Sequence, residues 1–157
     1  MKNNQTSGAA LDSQTGNQFA TFYVNKLLFG VDVQKVQEVI RFQEMTPVPL
    51  ATRLIEGLIN LRGQIITAID MRRRMNLEER SKEQLPMNVI IKTDGGAVSL
   101  LVDEIGDVLR VEESQYECPP DTLPDSCKKF VTGVFKLDQR LLLVLDPEKT
   151  VDVSTVQ

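Results

Sequence analysis

The chain has 157 residues, a formal net charge of −4 and no histidine. The acidic balance argues against nucleic-acid binding as the main function, because that binding depends on Lys and Arg side chains that neutralise phosphates. The missing histidine removes the commonest general base and the usual partner of cysteine in zinc sites.

Hydrophobic residues make up 41% of the chain and aromatic residues only 5%, so the core must be built mainly from Val, Ile and Leu. No apolar run approaches the ~20 residues that span a bilayer, and the N-terminus lacks a signal-peptide pattern. We therefore expect a cytoplasmic protein without membrane insertion. Cys118 and Cys127 have no base or metal partner in the sequence and are interpreted as plain thiols.

Residues 1–17 are rich in Asn, Gln, Ser, Thr and Gly and are predicted to form a disordered tail, because they offer little to bury. A folded domain is predicted over residues 18–150, followed by a frayed C-terminus over residues 151–157. The first elements are two strands of a hairpin, at 19–24 and 27–31. A short helical turn that runs into a strand is predicted over 31–42.

A second hairpin, over residues 56–70, organises the rest of the chain. Two apolar, β-branched runs flank the polar turn Arg62-Gly63-Gln64, which is typical of a β-hairpin. The same shape returns over 132–146. The equivalent positions are Gly57 and Gly133, Leu61 and Leu137, Ile65 and Leu141, Ile69 and Leu145, and Asp70 and Asp146.

Another repeat confirms the first, because residues 98–111 follow the pattern of 29–42. The equivalent positions are Val33 and Val102, Val36 and Ile105, Glu38 and Asp107, Val39 and Val108, Ile40 and Leu109, and Arg41 and Arg110. Two copies in tandem predict two similar β lobes, each too small to be stable alone. The charged segment 78–84 is the candidate boundary between them and is expected to be flexible.

Asp70 and Asp146 are related by the repeat, and paired carboxylates from two lobes would suit an aspartic-protease dyad. That dyad needs Asp-Thr-Gly or Asp-Ser-Gly loops, which are absent here. Both residues suit helix N-caps far better, and Pro147 at the first helical position strengthens the second case. The run 72–74 of three arginines is interpreted as a solvated helix face. The sequence thus predicts no catalytic group, metal or cofactor.

The repeated valines exceed what one small lobe can bury. Val33, Val36 and Val39, with their counterparts, are expected to form part of the core and to line an apolar groove that suits a partner's helix. Glu38 and Arg62 are charges embedded in the most apolar stretches, and we expect them to pair with each other.

Five segments resemble the CheW family, and the resemblance extends from about Phe19 to Thr150. These segments are Phe29-Gly30-Val31-Asp32-Val33, Val36-Gln37-Glu38-Val39-Ile40, Thr46-Pro47-Val48-Pro49, Glu56-Gly57-Leu58-Ile59-Asn60-Leu61-Arg62-Gly63 and Ile69-Asp70-Met71-Arg72-Arg73. The resemblance implies a mainly β fold of two tandem SH3-like five-stranded β-barrels that share a hydrophobic core, with a few short helices. The first barrel is expected over about 18–82 and the second over about 83–150.

The resemblance also implies a function. CheW-family proteins are non-enzymatic chemotaxis adaptors that couple transmembrane chemoreceptors to the histidine kinase CheA in membrane-bound receptor arrays. The length favours the adaptor over CheA, which needs a kinase domain, and over CheV, which carries a receiver domain. The alternatives are a generic two-barrel peptide-binding module outside chemotaxis, a nucleic-acid-binding β-barrel and, more distantly, an enzyme.

Site residues carried over by motif fall into two groups. The receptor side takes Val36, Glu38, Gly57 and Arg62, with Val33 and Val108 lining the groove. Gly57 is expected to let a receptor helix approach closely. The kinase side is placed near Leu123 and Phe130, together with the first-barrel hairpins.

Overall fold

Short apolar runs broken by Gly, Asn and Asp fold into successive hairpins. The computed structural model describes residues 17–154. The strands are β1 (Gln18–Val24), β2 (Leu27–Asp32), β3 (Val36–Ile40), β4 (Ile55–Leu61), β5 (Gln64–Asp70), β6 (Met87–Thr93), β7 (Gly96–Val102), β8 (Glu104–Arg110), β9 (Tyr116–Glu117), β10 (Val131–Lys136) and β11 (Leu141–Leu145). The helices are α1 (Met71–Arg74), α2 (Asp125–Lys128) and α3 (Pro147–Val151), with 3₁₀ turns at Val33–Lys35 and Glu113–Gln115. The predicted mainly β fold with a few short helices is confirmed.

The strands form two sheets of matching order. One sheet runs β8-β1-β2-β11-β10-β9 and the other runs β3-β6-β7-β5-β4. Position by position, β8 corresponds to β3, the β1–β2 hairpin to the β6–β7 hairpin, β11 to β5, and β10 to β4. The two copies of the sequence repeat therefore have the same strand arrangement. The first hairpin of each copy, however, lies in the sheet formed by the remaining strands of the other copy. The ranges 18–82 and 83–150 thus do not each describe one sheet.

Parallel strand pairs make this exchange. β11 runs parallel to β2, with Leu143 opposite Phe29, and β5 runs parallel to β7, with Ile69 opposite Leu100. The remaining neighbours in both sheets are antiparallel.

The core has three parts, because both faces of each sheet carry buried side chains. In β11, Leu143 and Leu145 face a large shared core, whereas Leu142 and Val144 face a smaller cluster with Phe19. In β6, the flanking residues likewise face the shared core while Ile90 joins Ile59 and Ile66. The shared core holds residues from both sheets, and each sheet curves around a small cluster of its own. The largest fully buried side chains of the shared core are Phe22, Phe29, Met71, Met75, Ile91 and Leu100.

Both predicted helix caps are confirmed. The Asp70 carboxylate accepts hydrogen bonds from the backbone N–H groups of Arg72 at 2.9 Å and Arg73 at 3.3 Å. The Asp146 carboxylate accepts one from the N–H of Lys149 at 3.2 Å. Pro147 occupies the first turn of α3, where it has no N–H to leave unsatisfied. Both carboxylates therefore serve orphan donors at helix starts.

The prediction of a solvated arginine face over 72–74 is wrong. Arg74 is buried, and its guanidinium donates to the carbonyl oxygens of Thr150 at 2.7 Å, Lys149 at 3.2 Å and Asp152. Burial lowers the pKa of Arg74, although the charge of Asp152 acts in the opposite direction. The guanidinium joins α1 to the C-terminal segment, which local charge pattern could not reveal.

The charged segment 78–84 is also tied down rather than loose. The Arg80 guanidinium donates to Asp70 at 3.2 Å and to Asp103 at 3.0 Å, and its side chain is only 8% exposed. Arg72 donates to the same Asp103 carboxylate at 2.7 Å. Burial alone would raise the pKa of Asp103, but hydrogen bonds from Arg72, the Asn25 N–H and Arg80 hold it below its ordinary value.

The predicted terminal segments fall mainly outside the described residues. Of the tail over 1–17, only Asn17 is described, and its carbonyl oxygen accepts a hydrogen bond from the Val111 N–H at 2.9 Å. At the other end, α3 extends to Val151, and the structure continues to residue 154. No helix within residues 17–154 is long and apolar enough to cross a membrane.

Candidate binding site where the five-stranded sheet closes

The two edge strands of the five-stranded sheet, β3 and β4, are brought together by the segment that follows β3. Thr46 and Leu58 exchange backbone hydrogen bonds of 2.9 Å in each direction. The segment after β3 therefore pairs with the free edge of β4, and the sheet curves around Ile59, Ile66 and Ile90.

Glu38 lies on the inner side of this closure. Along β3, Val36, Glu38 and Ile40 are half-buried, whereas Gln37 and Val39 are exposed, which is the alternation of a strand with one face covered. Glu38 stands opposite Ile90 in the strand register. A carboxylate at this place needs a partner, because a charge beside apolar groups loses solvation.

Arg62 supplies that partner, as predicted. It occupies the two-residue turn between β4 and β5, and its guanidinium forms an ion pair with the Glu38 carboxylate. The Glu38 side chain is 25% exposed and the Arg62 side chain 69% exposed. An exposed ion pair adds only ~0–1 kcal/mol to stability. Because the Arg62 side chain is largely exposed, most of its guanidinium remains available to another molecule.

Gly57 meets a packing requirement within the chain itself. It is buried, and a Cβ added there would lie 2.8 Å from the Thr46 carbonyl oxygen and 3.0 Å from the Met45 Cβ. The close approach that requires glycine is therefore made by the chain's own closing segment. Gly133, its repeat equivalent, accommodates the Tyr116 ring in the same way, with 2.7 Å between an added Cβ and a ring carbon.

The three candidate valines are spread over both sheets. Val36 packs against the shared core, and Val33 lies half-buried in the 3₁₀ turn. That turn packs against both β1 and β6, so it bridges the sheets. Val108 is 60% exposed on β8, the edge strand of the six-stranded sheet. The structure thus brings Glu38 to Arg62 but leaves Val108 on a separate edge.

Among the exposed apolar residues of the five-stranded sheet, Ile65 was not expected at a binding site, whereas Val39 was expected to line the apolar groove. Ile65 is 60% exposed beside the Arg62 turn, and Val39 is 39% exposed on β3. A sequence signal for the first existed, because adjacent Ile65 and Ile66 cannot face the same side of a strand. Ile66 is fully buried, so Ile65 points outward.

The two kinase-side candidates lie in the shared core. Leu123 and Phe130 are each 7% exposed. The Phe130 ring lies against the Arg74 guanidinium. Leu123 also lines a cavity of about 290 Å³, whose other walls include Leu27, Leu141 and Arg140.

The described residues do not assemble reactive chemistry at these sites. Within 17–154, no group of three or more Cys, Asp or Glu side chains is arranged to hold a metal ion. Cys118 is exposed and Cys127 is buried, and both are free thiols. Burial raises the pKa of Cys127, which disfavours its reactive thiolate.

Two curled β-sheets with a charged hairpin and exposed apolar edges define a protein-binding module. Residues 18–154 match the family model of the CheW-like domain. The chain belongs to the CheW family.

Named relatives support this membership. The chain is 31% identical to the chemotaxis protein CheW of Bacillus subtilis (strain 168), with 92% of each chain covered. It is 28% identical to CheW of Treponema pallidum, covering 89% of this chain and 85% of that one. A crystal structure of the scaffolding protein TtCheW from Thermoanaerobacter tengcongensis superposes with a TM-score of 0.78 at 30% identity, covering 88% of this chain and 90% of that chain. The chain accordingly has the role of a chemotaxis adaptor, and the comparisons give no support to a binding module outside chemotaxis.

Proposed function

We propose that this chain couples transmembrane chemoreceptors to the histidine kinase CheA, without catalysing a reaction, and that it is recruited from the cytoplasm to receptor arrays. The observation that carries the receptor contact is the ion pair between Glu38 and Arg62. It joins opposite edges of one sheet, and Arg62 remains 69% exposed.

The receptor's cytoplasmic tip binds around this pair. Arg62 offers unused donors, and exposed apolar surface is available at Val39 and Ile65. Charges at such a surface select the partner and its orientation, while the apolar groups around them exclude water. Val33 and Val36 set the shape of the neighbouring surface, and Val108 extends it onto the second sheet.

Gly57 acts indirectly in this proposal. A side chain there would push on the Thr46 backbone and open the closure that keeps β4 near β3. The Glu38–Arg62 pair depends on that closure. Loss of receptor binding in a Gly57 variant would therefore reflect a displaced site.

The kinase binds near the cavity beside Leu123. This cavity combines an apolar floor, which includes Leu27 and Leu141, with the cationic side chains of Lys26 and Arg140. Leu123 contributes its exposed edge to the floor, while Phe130 holds the region in place from the core. Signal passes because receptor states that engage the adaptor differently shift the kinase's equilibrium by their difference in binding free energy.

Co-sedimentation with receptor-containing membranes, with and without CheA, tests the proposal. The native chain is expected to pellet with receptor and to increase the CheA that is retained. Arg62→Ala should weaken receptor binding measurably, whereas Arg53→Ala, which removes another exposed arginine, should not. A native chain that stays in the supernatant under both conditions would refute the coupling role.

A further inference from the structure

Arg62 occupies a backbone conformation that its residue type disfavours. Its φ is +52°, and that of Gly63 is +86°. Two successive positive φ values define the tight hairpin turn that favours Asn-Gly or Gly-Gly, because a Cβ is crowded in the left-handed region. An arginine at the first position is therefore retained at a cost in local strain.

The side chain explains why the strain is tolerated. Arg62 forms the ion pair with Glu38 across the closing edges of the sheet. The direction of its Cα–Cβ bond is fixed by the turn, so the turn's geometry decides whether the guanidinium reaches the carboxylate.

Asn60 stabilises that turn from the preceding strand. Its side-chain Oδ1 accepts a hydrogen bond from the backbone N–H of Gly63 at 3.0 Å. Asn60 itself is exposed and stands opposite Ile65, so its side chain is not needed to fill the core. Its amide spans the turn and fixes the peptide that follows Arg62.

We propose that Asn60 is a positioning residue. Its side-chain oxygen accepts the hydrogen bond from the Gly63 N–H, and this bond orients Arg62 toward Glu38 and the receptor. The receptor part of this inference rests on the proposed function, whereas the part that concerns Glu38 does not. Asn60→Ala removes the acceptor, and Asn60→Asp keeps an acceptor oxygen at the same reach.

Nuclear magnetic resonance on the full chain tests the positioning step without any partner. Asn60→Ala should accelerate hydrogen exchange of the Gly63 amide, and Asn60→Asp should leave it near the native rate. Glu38→Gln should shift the Arg62 Nε resonance in the native chain and in Asn60→Asp, but not in Asn60→Ala. Persistence of that shift in Asn60→Ala would overturn the proposal.

Receptor binding tests the consequence. Asn60→Ala should weaken sedimentation with receptor membranes by about 3- to 10-fold, the effect of one neutral hydrogen bond. Asn60→Asp should bind normally, and Asn60→Ala should cause no further loss in an Arg62→Ala background. Additive losses, or equal losses in the Asp and Ala variants, would mean that Asn60 touches the receptor directly and would overturn the proposal. If Arg62→Ala itself binds normally while the resonance experiment succeeds, the receptor role fails and the positioning of Arg62 on Glu38 stands.

Discussion

The guanidinium of Arg74 lies 4.7 Å from the centre of the Phe130 ring, while its nitrogens donate to carbonyl oxygens near the C-terminus. The charge is stabilised by a π face and by backbone dipoles instead of by a bonded carboxylate. The Arg74 side chain of α1 therefore contacts both Phe130, which follows α2, and the backbone of α3.

Replacing Arg74 by Met keeps most of the stem but removes the guanidinium that donates to the carbonyl oxygens of Thr150, Lys149 and Asp152. We expect a loss of about 2–4 kcal/mol in the free energy of unfolding, since buried acceptors lose a charged partner. Urea unfolding followed by circular dichroism measures it. Arg53→Met, at an exposed position, is the control, and a loss below about 0.5 kcal/mol in Arg74→Met, the range of neutral surface changes, would contradict the structural role.

Asp103 makes stability depend on pH in the acid range. Its folded pKa lies below the ordinary value of 3.8, so the unfolded chain takes up a proton at higher pH than the folded chain does. The stabilisation is complete well above pH 3.8 and is lost as the pH falls through the folded pKa. Unfolding free energies measured from pH 7 to pH 3 should therefore fall less steeply in Asp103→Asn than in the native chain.

The same variant should be destabilised at pH 7 by about 3–5 kcal/mol, because Arg72 and Arg80 lose a shared buried carboxylate. Asp107→Asn changes an exposed aspartate in the adjacent strand and should do neither. Parallel pH curves for the native and Asp103→Asn proteins would show that Asp103 does not control this dependence.

Gly57→Ala should destabilise the fold by about 1–3 kcal/mol, because the new methyl group overlaps the Thr46 carbonyl. Gly95→Ala is the control, because a Cβ added at Gly95 would approach only Thr93 Oγ1, at 4.0 Å. Thermal unfolding distinguishes them. Equal midpoints would indicate that the closing segment moves aside freely.

Exchanging the charges of the ion pair separates stability from recognition. The double variant Glu38→Arg with Arg62→Glu retains opposite charges, so its stability should remain within about 1 kcal/mol of native. Receptor binding should nevertheless be lost, because the exposed partner-facing charge has changed sign. If the double variant sedimented with receptor membranes as the native chain does, the receptor would not recognise the charge of Arg62.

Ile65→Ser and Leu85→Ser form a matched pair, since both side chains are 60% exposed. Each should change stability by less than about 0.5 kcal/mol. Only Ile65→Ser should weaken receptor binding, because Ile65 adjoins the Arg62 turn. Equal binding by both variants would remove Ile65 from the proposed surface.

Local features of the chain were predictable from sequence because their causes are local. Two apolar, β-branched runs around a polar turn specify β4 and β5, and the Asp146-Pro147 step specifies a helix start. Arg74 and Arg80 were misjudged because their partners are distant in sequence and become neighbours only after folding. The charge pair at Glu38 was predictable because both residues interrupt apolar runs. Leu123 and Phe130 were placed on a surface, but pattern alone could not tell a covered loop residue from an exposed one.

The exchange of hairpins between the two sheets has a consequence for synthesis of the chain. β2 emerges from the ribosome early, yet its parallel partner β11 is made near the end. At roughly 5–20 residues per second, the first hairpin waits several seconds with one edge unpaired and its apolar faces uncovered. Such long-range pairing also slows folding, because loop-closure entropy is lost before the contact forms. The last strand therefore acts as a completion step for the whole molecule, and nascent chains that stop before it would expose β2 to aggregation or chaperone capture.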